Sequence, residues 1–321
     1  MREKKPIPIF VGGCNRSGTT MMGAMLGSHS DILCVPEAHF ILQEYQKASR
    51  KNYVDDTLKI MNAISSNLRF KLWGLPQSAI QDISEFPRIG YEEVITELVK
   101  QYGKKINKSG VSHWVDHVPA NIKYTYLLLR LFPEARFIHI VRDGRAVAAS
   151  LKSVIWGPKA IDRAAIMWID FIAHGLAAES KLGTARILRI TYESLVQDPR
   201  LYLSQICEFI GIEFQEEMIM GRGFVMPQYY RSNQRLVGQI PDVTRITAWQ
   251  RRLPPRDIEI FEFFAGGLLS YFGYLPQYYP FAKGLTTWNR IRSLLLIPIE
   301  TIGIYLNRVK VFQNSLKKQS V

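Results

Sequence analysis

Apolar residues in this chain gather in short bursts separated by longer stretches of helical periodicity, the pattern of alternating strands and helices. Ile7, Ile9, Phe10 and Val11 form the first burst, closed by Gly12-Gly13. Such a run suits a buried parallel strand with a sharp exit. From Thr19 or Thr20 the spacing changes, and Met21, Met22, Met25 and Leu26 recur at helical intervals. Helices are expected over Ala38 to Tyr53, with Glu37 at its start, and over Asp55 to Leu68. The aromatic Arg69-Phe-Lys-Leu-Trp-Gly74 and a helix from about Tyr91 to Tyr102 follow, so residues 38–102 read as an insertion between core strands.

Ser112 to Pro119 reads as a strand ending in a loop, after which Asn121 is expected to cap a helix striped by Tyr124, Leu127, Leu128 and Leu131. Ala135 begins an apolar strand that turns into a helix near Asp143, and a long helix spans Ile161 to Leu182. Ala185 to Glu193 is the next core strand, with Tyr192 at its exit, and Pro199 to Ile210 is helical. Gly221 to Trp249 lacks periodicity and reads as a long functional loop. Pro254 to Phe272 closes the domain as a helix. Three strands thus send their exits to one rim, where open α/β sheets bind ligands. The expected fold is α/β, with a P-loop-like, central, mainly parallel sheet flanked by helices.

The candidate chemistry starts in the first loop. Gly13-x4-Gly18 copies the first part of a P-loop, but Thr19 stands where its lysine belongs, and Arg16 places a cation inside the loop instead. Arg16-Ser17-Gly18-Thr19-Thr20 combines a guanidinium, three hydroxyls and a helix N-terminus within five residues. That combination favours a phosphate-like anion over a plain strand-to-helix turn. Arg142 ends a later strand and Ser150 lies two turns into the helix beyond it, so both can approach a ligand across the sheet edge. The bland alternative is a capped helix start, with Asp143 on the first N–H groups and Arg142 and Arg145 solvated. His117, beside a strand end, is by itself more often structural than catalytic.

Val11-Gly-Gly-Cys-Asn-Arg-Ser-Gly-Thr-Thr20 followed by Pro36-Glu37 resembles the opening of sulfotransferases that use 3′-phosphoadenosine 5′-phosphosulfate (PAPS), most closely the tyrosylprotein branch. The resemblance covers roughly Ile7 to Pro276 and implies the sulfotransferase fold. It implies that residues 16–20 hold the 5′-phosphosulfate, that Glu37 is the catalytic base, and that Arg142 and Ser150 clasp the 3′-phosphate. It also implies catalytic roles for Arg16 and His117, the latter standing where the tyrosylprotein enzymes have lysine. A neutral imidazole donates one hydrogen bond but lacks lysine's permanent charge. Tyr192 matches a tyrosine that contacts the nucleotide, and Arg245 a basic residue that reaches the phosphate, with Arg231, Ser232 and Arg235 as competitors. The implied reaction is in-line sulfuryl transfer from PAPS to a hydroxyl-bearing acceptor, with no metal. The acceptor stays open among a tyrosine, a sugar, a lipid headgroup and a small alcohol.

Composition narrows this only in part. The 321 residues are 47% hydrophobic and carry a net charge of +13, with an isoelectric point near 9.6. That charge suits a multiply anionic ligand, and equally an anionic membrane or a nucleic acid. Nucleic acid is not the expected partner. Cys14, Cys34 and Cys207 form no metal-type spacing and read as free thiols of a reducing compartment. No apolar leader precedes the first strand, which points to the cytoplasm. Two other readings stand beside sulfuryl transfer: an atypical phosphotransferase using magnesium and ATP, against which Thr19 argues, and a basic nucleotide- or membrane-binding protein without activity.

The expected domain is 1–284, and 285–321 form a basic, apolar tail. Leu294 to Leu306 is apolar and flanked by Arg290, Arg292, Arg308, Lys310, Lys317 and Lys318. It is too short for a span, which takes about 20 residues. It suits a peripheral anionic membrane or a second subunit of a homodimer, with Pro298 breaking whichever helix forms.

Overall fold

The computed structural model describes residues 5–86, 88–226 and 237–317. Its centre is a five-stranded sheet in the order β2-β3-β1-β4-β5, comprising β1 Ile7–Gly13, β2 Ile32–Cys34, β3 His113–Asp116, β4 Arg136–Val141 and β5 Ile187–Thr191. Every pairing is parallel. β1 lies in the middle because both its faces are apolar. Ile9 and Val11 enter one core with Ile138 and Ile140, while Phe10, one residue out of phase, packs on Trp114 and Phe137 in the other. This is the period-two alternation of a strand buried on both sides.

The helices divide between those two cores. α1 Thr19–Gly27 covers the Ile9 face. The insertion consists of α2 Phe40–Arg50, α3 Thr57–Ser66, α4 Leu68–Lys71, α5 Gln77–Ser84 and α6 Tyr91–Lys105. Its aromatic segment is core: Trp73 meets Phe40 and Tyr102 with ring centroids 5.3 Å apart in each case. α7 Thr125–Leu131, α8 Gly144–Lys152 and α9 Ile161–Leu182 pack on the Phe10 face, whereas α10 Tyr192–Gln197 and α11 Pro199–Ile210 return to the Ile9 face. α12 Trp249–Arg252 and α13 Pro255–Tyr271 complete the layer against α8 and α9, and α14 Thr287–Leu295 and α15 Ile297–Lys317 form the tail.

Several local expectations are corrected. Asn121 caps no helix. It sits in a 3₁₀ turn over Pro119–Tyr124 and its amide bonds to Asp116 Oδ2 at 3.0 Å and to the Val11 carbonyl at 3.3 Å. α7 therefore starts later, at Thr125. Glu37 lies in the loop before α2 rather than on its first turn. Tyr192 opens a short helix capped by Thr191. The expected loop from Gly221 to Trp249 holds a 3₁₀ turn at Val243–Arg245; Arg231, Ser232 and Arg235 lie outside the described residues, as does Lys318. Pro298 falls in the first turn of α15, where a proline is tolerated, and the break lies just ahead of it at Leu296. All three cysteines are buried free thiols.

Candidate active site

The carboxyl ends of all five strands open on one rim, and the segment following each supplies a candidate residue. After β1 the chain turns through Arg16 at φ +70° and Gly18 at φ +102°. The left-handed conformation at Arg16 is strained for a side-chain-bearing residue, and such strain is retained where a site needs it. Gly18 is required twice over: its φ is positive, and a Cβ there would fall 2.8 Å from Tyr192 Cδ2. No side chain caps α1 at Gly18, so the first-turn N–H groups and the positive dipole end face the loop. Thr19 and Thr20 are buried in that turn.

Two guanidiniums close the cradle. Arg16 Nε donates to Ser150 Oγ at 3.1 Å. Arg142, one residue beyond β4, donates from Nη1 to the Arg16 carbonyl at 3.0 Å and from Nη2 to the Arg245 carbonyl at 3.3 Å, and stacks 4.0 Å above the Tyr192 ring. Arg245 thus reaches the site through its backbone; its guanidinium lies 3.6 Å from Asp242. Burial lowers the pKa of Arg16, and the nearby Arg142 cation lowers it further, against an opposing pull from Glu37. Two cations crowded in a partly desolvated loop gain from an anion between them.

The opposite wall holds Glu37 and His117. Glu37 Oε2 is 3.0 Å from His39 Nε2, and Glu37 Oε1 is 4.0 Å from His117 Nδ1. His117 is fully buried, edge-on to Phe224 at 4.9 Å and pressed against Gly23, where a Cβ would come within 2.7 Å of the ring. Burial pushes its pKa below the ordinary 6.5, and Glu37 and Asp116 oppose that shift without reversing it. The imidazole is therefore a neutral hydrogen-bond partner. Asp116 fixes the geometry from behind, accepting from the Ala38 N–H at 3.1 Å and from Asn121 at 3.0 Å, so it ties the Glu37 loop to the His117 strand.

The residues fit a multiply anionic group. Among the described residues, four buried side-chain atoms that make no hydrogen bond within the protein lie on this rim: Ser17 Oγ, Arg142 Nε and both ring nitrogens of His117. Buried polar atoms are rarely left unpaired, so their concentration marks a place where a ligand completes the bonding. The sulfotransferase family model matches residues 8–216. The chain belongs to the sulfotransferase family. Several of the relatives it is similar to are protein-tyrosine sulfotransferases. It is 26% identical over 266 residues to protein-tyrosine sulfotransferase 2 of Gallus gallus, covering 79% of this chain and 66% of that one. To protein-tyrosine sulfotransferase 1 of Homo sapiens it is 27% identical over 284 residues, covering 85% and 70%. Against the first three relatives it spans 66%, 62% and 52% of their length. The fold matches the sulfotransferase domain of the Synechococcus PCC 7002 olefin synthase, with a TM-score of 0.60, 20% identity and coverage of 86% and 98%. The sulfotransferase domain from the curacin pathway matches at 0.58, 18% identity, and 85% and 99%.

In this chain the rim brings together Arg16, Ser17, Gly18, Thr19, Thr20, Arg142, Ser150 and Tyr192, with Glu37 and His117 facing each other alongside. Arg145 is not solvated. It is 3% exposed, bound to Asp143 through Nε and Nη2, to Glu262 at 2.8 Å, and stacked 4.1 Å over Trp249. Asp143 does cap α8, as the helix-start reading expects. Sequence reasoning missed His39, Phe224 and the bridging role of Asp116. The first has a visible signal, standing two residues beyond Glu37; Phe224 is brought in by a distant loop and has none.

Proposed function

We propose that this protein is a PAPS-dependent sulfotransferase acting on a hydroxyl acceptor. The observation that carries the reading is the pairing of an uncapped helix start and two guanidiniums on one side with a carboxylate facing a neutral, buried imidazole on the other. The N–H groups at residues 18–20, Ser17, Arg16 and Arg142 are the groups that would hold the donor's anionic oxygens. Bound there, PAPS would supply a sulfuryl group open to in-line displacement, with the 3′,5′-bisphosphate leaving.

Glu37 takes the acceptor's hydroxyl proton on Oε1, while its other oxygen is held by His39. His117 donates one ring N–H toward charge developing between donor and leaving group, acting as a dipole rather than a cation. Arg16 supports the same charge from the loop side, and Arg142, Ser150 and Tyr192 bind the remote end of the nucleotide. The relatives' names make a tyrosyl phenol the first acceptor to try. Incubation with sulfur-labelled PAPS, tyrosine-bearing peptides and fractionated cell extract is the test. Label entering an acceptor fraction with the parent chain and not with Glu37→Gln supports the proposal. Absence of transfer to every fraction by a chain that binds the bisphosphate overturns it.

A further inference from the structure

The two C-terminal helices carry their polar contacts inward and their apolar side chains outward, the reverse of a surface helix in water. α15 meets the domain through Glu300, whose carboxylate accepts from Arg163 Nη2 at 2.8 Å and from the N–H groups of Lys159 and Ala160. Gly303 follows on the same face, so close that a Cβ would fall 1.9 Å from the Ile155 carbonyl oxygen. α14 docks through Ser293, whose hydroxyl donates to Asp162 at 2.9 Å and whose carbonyl accepts from Arg163 at 2.7 Å. On the outer side Trp288, Leu294, Leu295, Ile302 and Tyr305 are each 58–68% exposed. An apolar surface of this continuity marks an interaction site rather than scattered exposure.

Charge decides what covers it. Residues 287–317 contain the cations Arg290, Arg292, Arg308, Lys310 and Lys317 and a single acid, Glu300. That acid is spent on Arg163 and the Lys159–Ala160 backbone, so among the described residues the outer side sets apolar side chains beside Arg290 and Arg292 with no other acid. A two-fold contact with a second copy would set this cationic patch against itself, in a chain already at +13. Among the described residues no helix is long and apolar enough to cross a membrane. We propose that α14 and α15 lie along an anionic lipid surface, with their apolar side chains in the headgroup–acyl boundary and Arg290 and Arg292 at headgroup level. Trp288 and Tyr305 suit the same depth, where aromatic rings with a polar edge concentrate. The helices pack beside the segment that follows α8 and against α4 of the insertion, so docking would hold the domain itself at the surface.

The test is co-sedimentation of the full chain with vesicles of phosphatidylcholine alone and with about one third phosphatidylglycerol, at low and high salt. The expected result is pelleting with the anionic vesicles, release by salt, and little binding to the neutral ones. The double substitution Ile302→Glu with Tyr305→Glu should weaken anionic-vesicle binding by about tenfold or more without lowering the melting temperature. Arg290→Gln with Arg292→Gln should reduce the salt-sensitive part of the binding. The proposal is overturned if the parent chain stays in the supernatant with both vesicle types, or if the Ile302/Tyr305 variant pellets as well as the parent. A salt-insensitive dimer that the same variant dissociates, with no vesicle binding by either, would assign the face to a second copy instead.

Discussion

Replacing Arg142 by lysine keeps a positive charge and removes a geometry, which makes it the most informative change at the donor site. The guanidinium has five N–H donors. One on each terminal nitrogen is used on the carbonyls of Arg16 and Arg245, and Nε has no protein partner. The remaining donors are available to an anion while the group stays fixed by those carbonyls and by the Tyr192 ring. Alanine deletes a charge-assisted hydrogen bond of ~1.5–3 kcal/mol, roughly a 10–150-fold loss of affinity. The lysine ammonium cannot span both carbonyls and reach a ligand as well, so Arg142→Lys should lose most of what alanine loses. Calorimetric titration with adenosine 3′,5′-bisphosphate in the absence of magnesium reads this directly, and melting curves without ligand separate binding from folding. Unchanged affinity in Arg142→Ala would remove Arg142 from the donor site. ATP binding that is tighter than bisphosphate binding and needs magnesium would replace sulfuryl transfer by phosphoryl transfer.

Glu37→Gln should cut turnover by roughly 10²–10⁴-fold and leave bisphosphate affinity unchanged; equal turnover in a sulfotransfer assay would leave Glu37 without its role as base. His117, whose folded pKa lies below the ordinary 6.5, makes stability fall on acidification: below that value the unfolded chain takes up a proton that the folded chain refuses. The melting temperature of the parent should therefore drop more steeply than that of His117→Gln as pH falls from about 7.5 to about 5.5, and parallel slopes would contradict the assignment. Arg145→Met removes the cation that Asp143 and the fully buried Glu262 share and leaves them backbone N–H donors alone, so denaturant unfolding should show a loss of about 3–5 kcal/mol. A change within about 0.5 kcal/mol would instead mean that Arg145 behaves as an ordinary surface residue.

The sequence by itself determined the elements whose cause is local. The apolar run of β1, the glycines at its exit, the uncapped helix start at Thr19 and the uninterrupted helix from Ile161 to Leu182 follow from side-chain period and backbone freedom within a few residues. Arg16 to Thr20, Arg142 and Ser150 were legible for the same reason, since each stands at a recognisable strand exit or helix turn, whereas Glu37 was legible only through the family resemblance that Pro36-Glu37 carries. What only the tertiary structure decided are relations between segments far apart in the chain. Arg145 looked solvated because its partners Glu262 and Trp249 lie more than a hundred residues away. Asn121 looked like a cap because short polar side chains at helix starts usually are, whereas the parallel pairing of β1 with β3 sets the Val11 carbonyl and Asp116 within its reach. Arg245 was placed by its charge, yet its carbonyl is what meets Arg142. The charge state of His117 could not be read from residue type, because burial against Gly23 and Phe224 sets it. In the tail the sequence supplied composition alone; only the docking of Glu300 and Ser293 showed which face of the helices points outward.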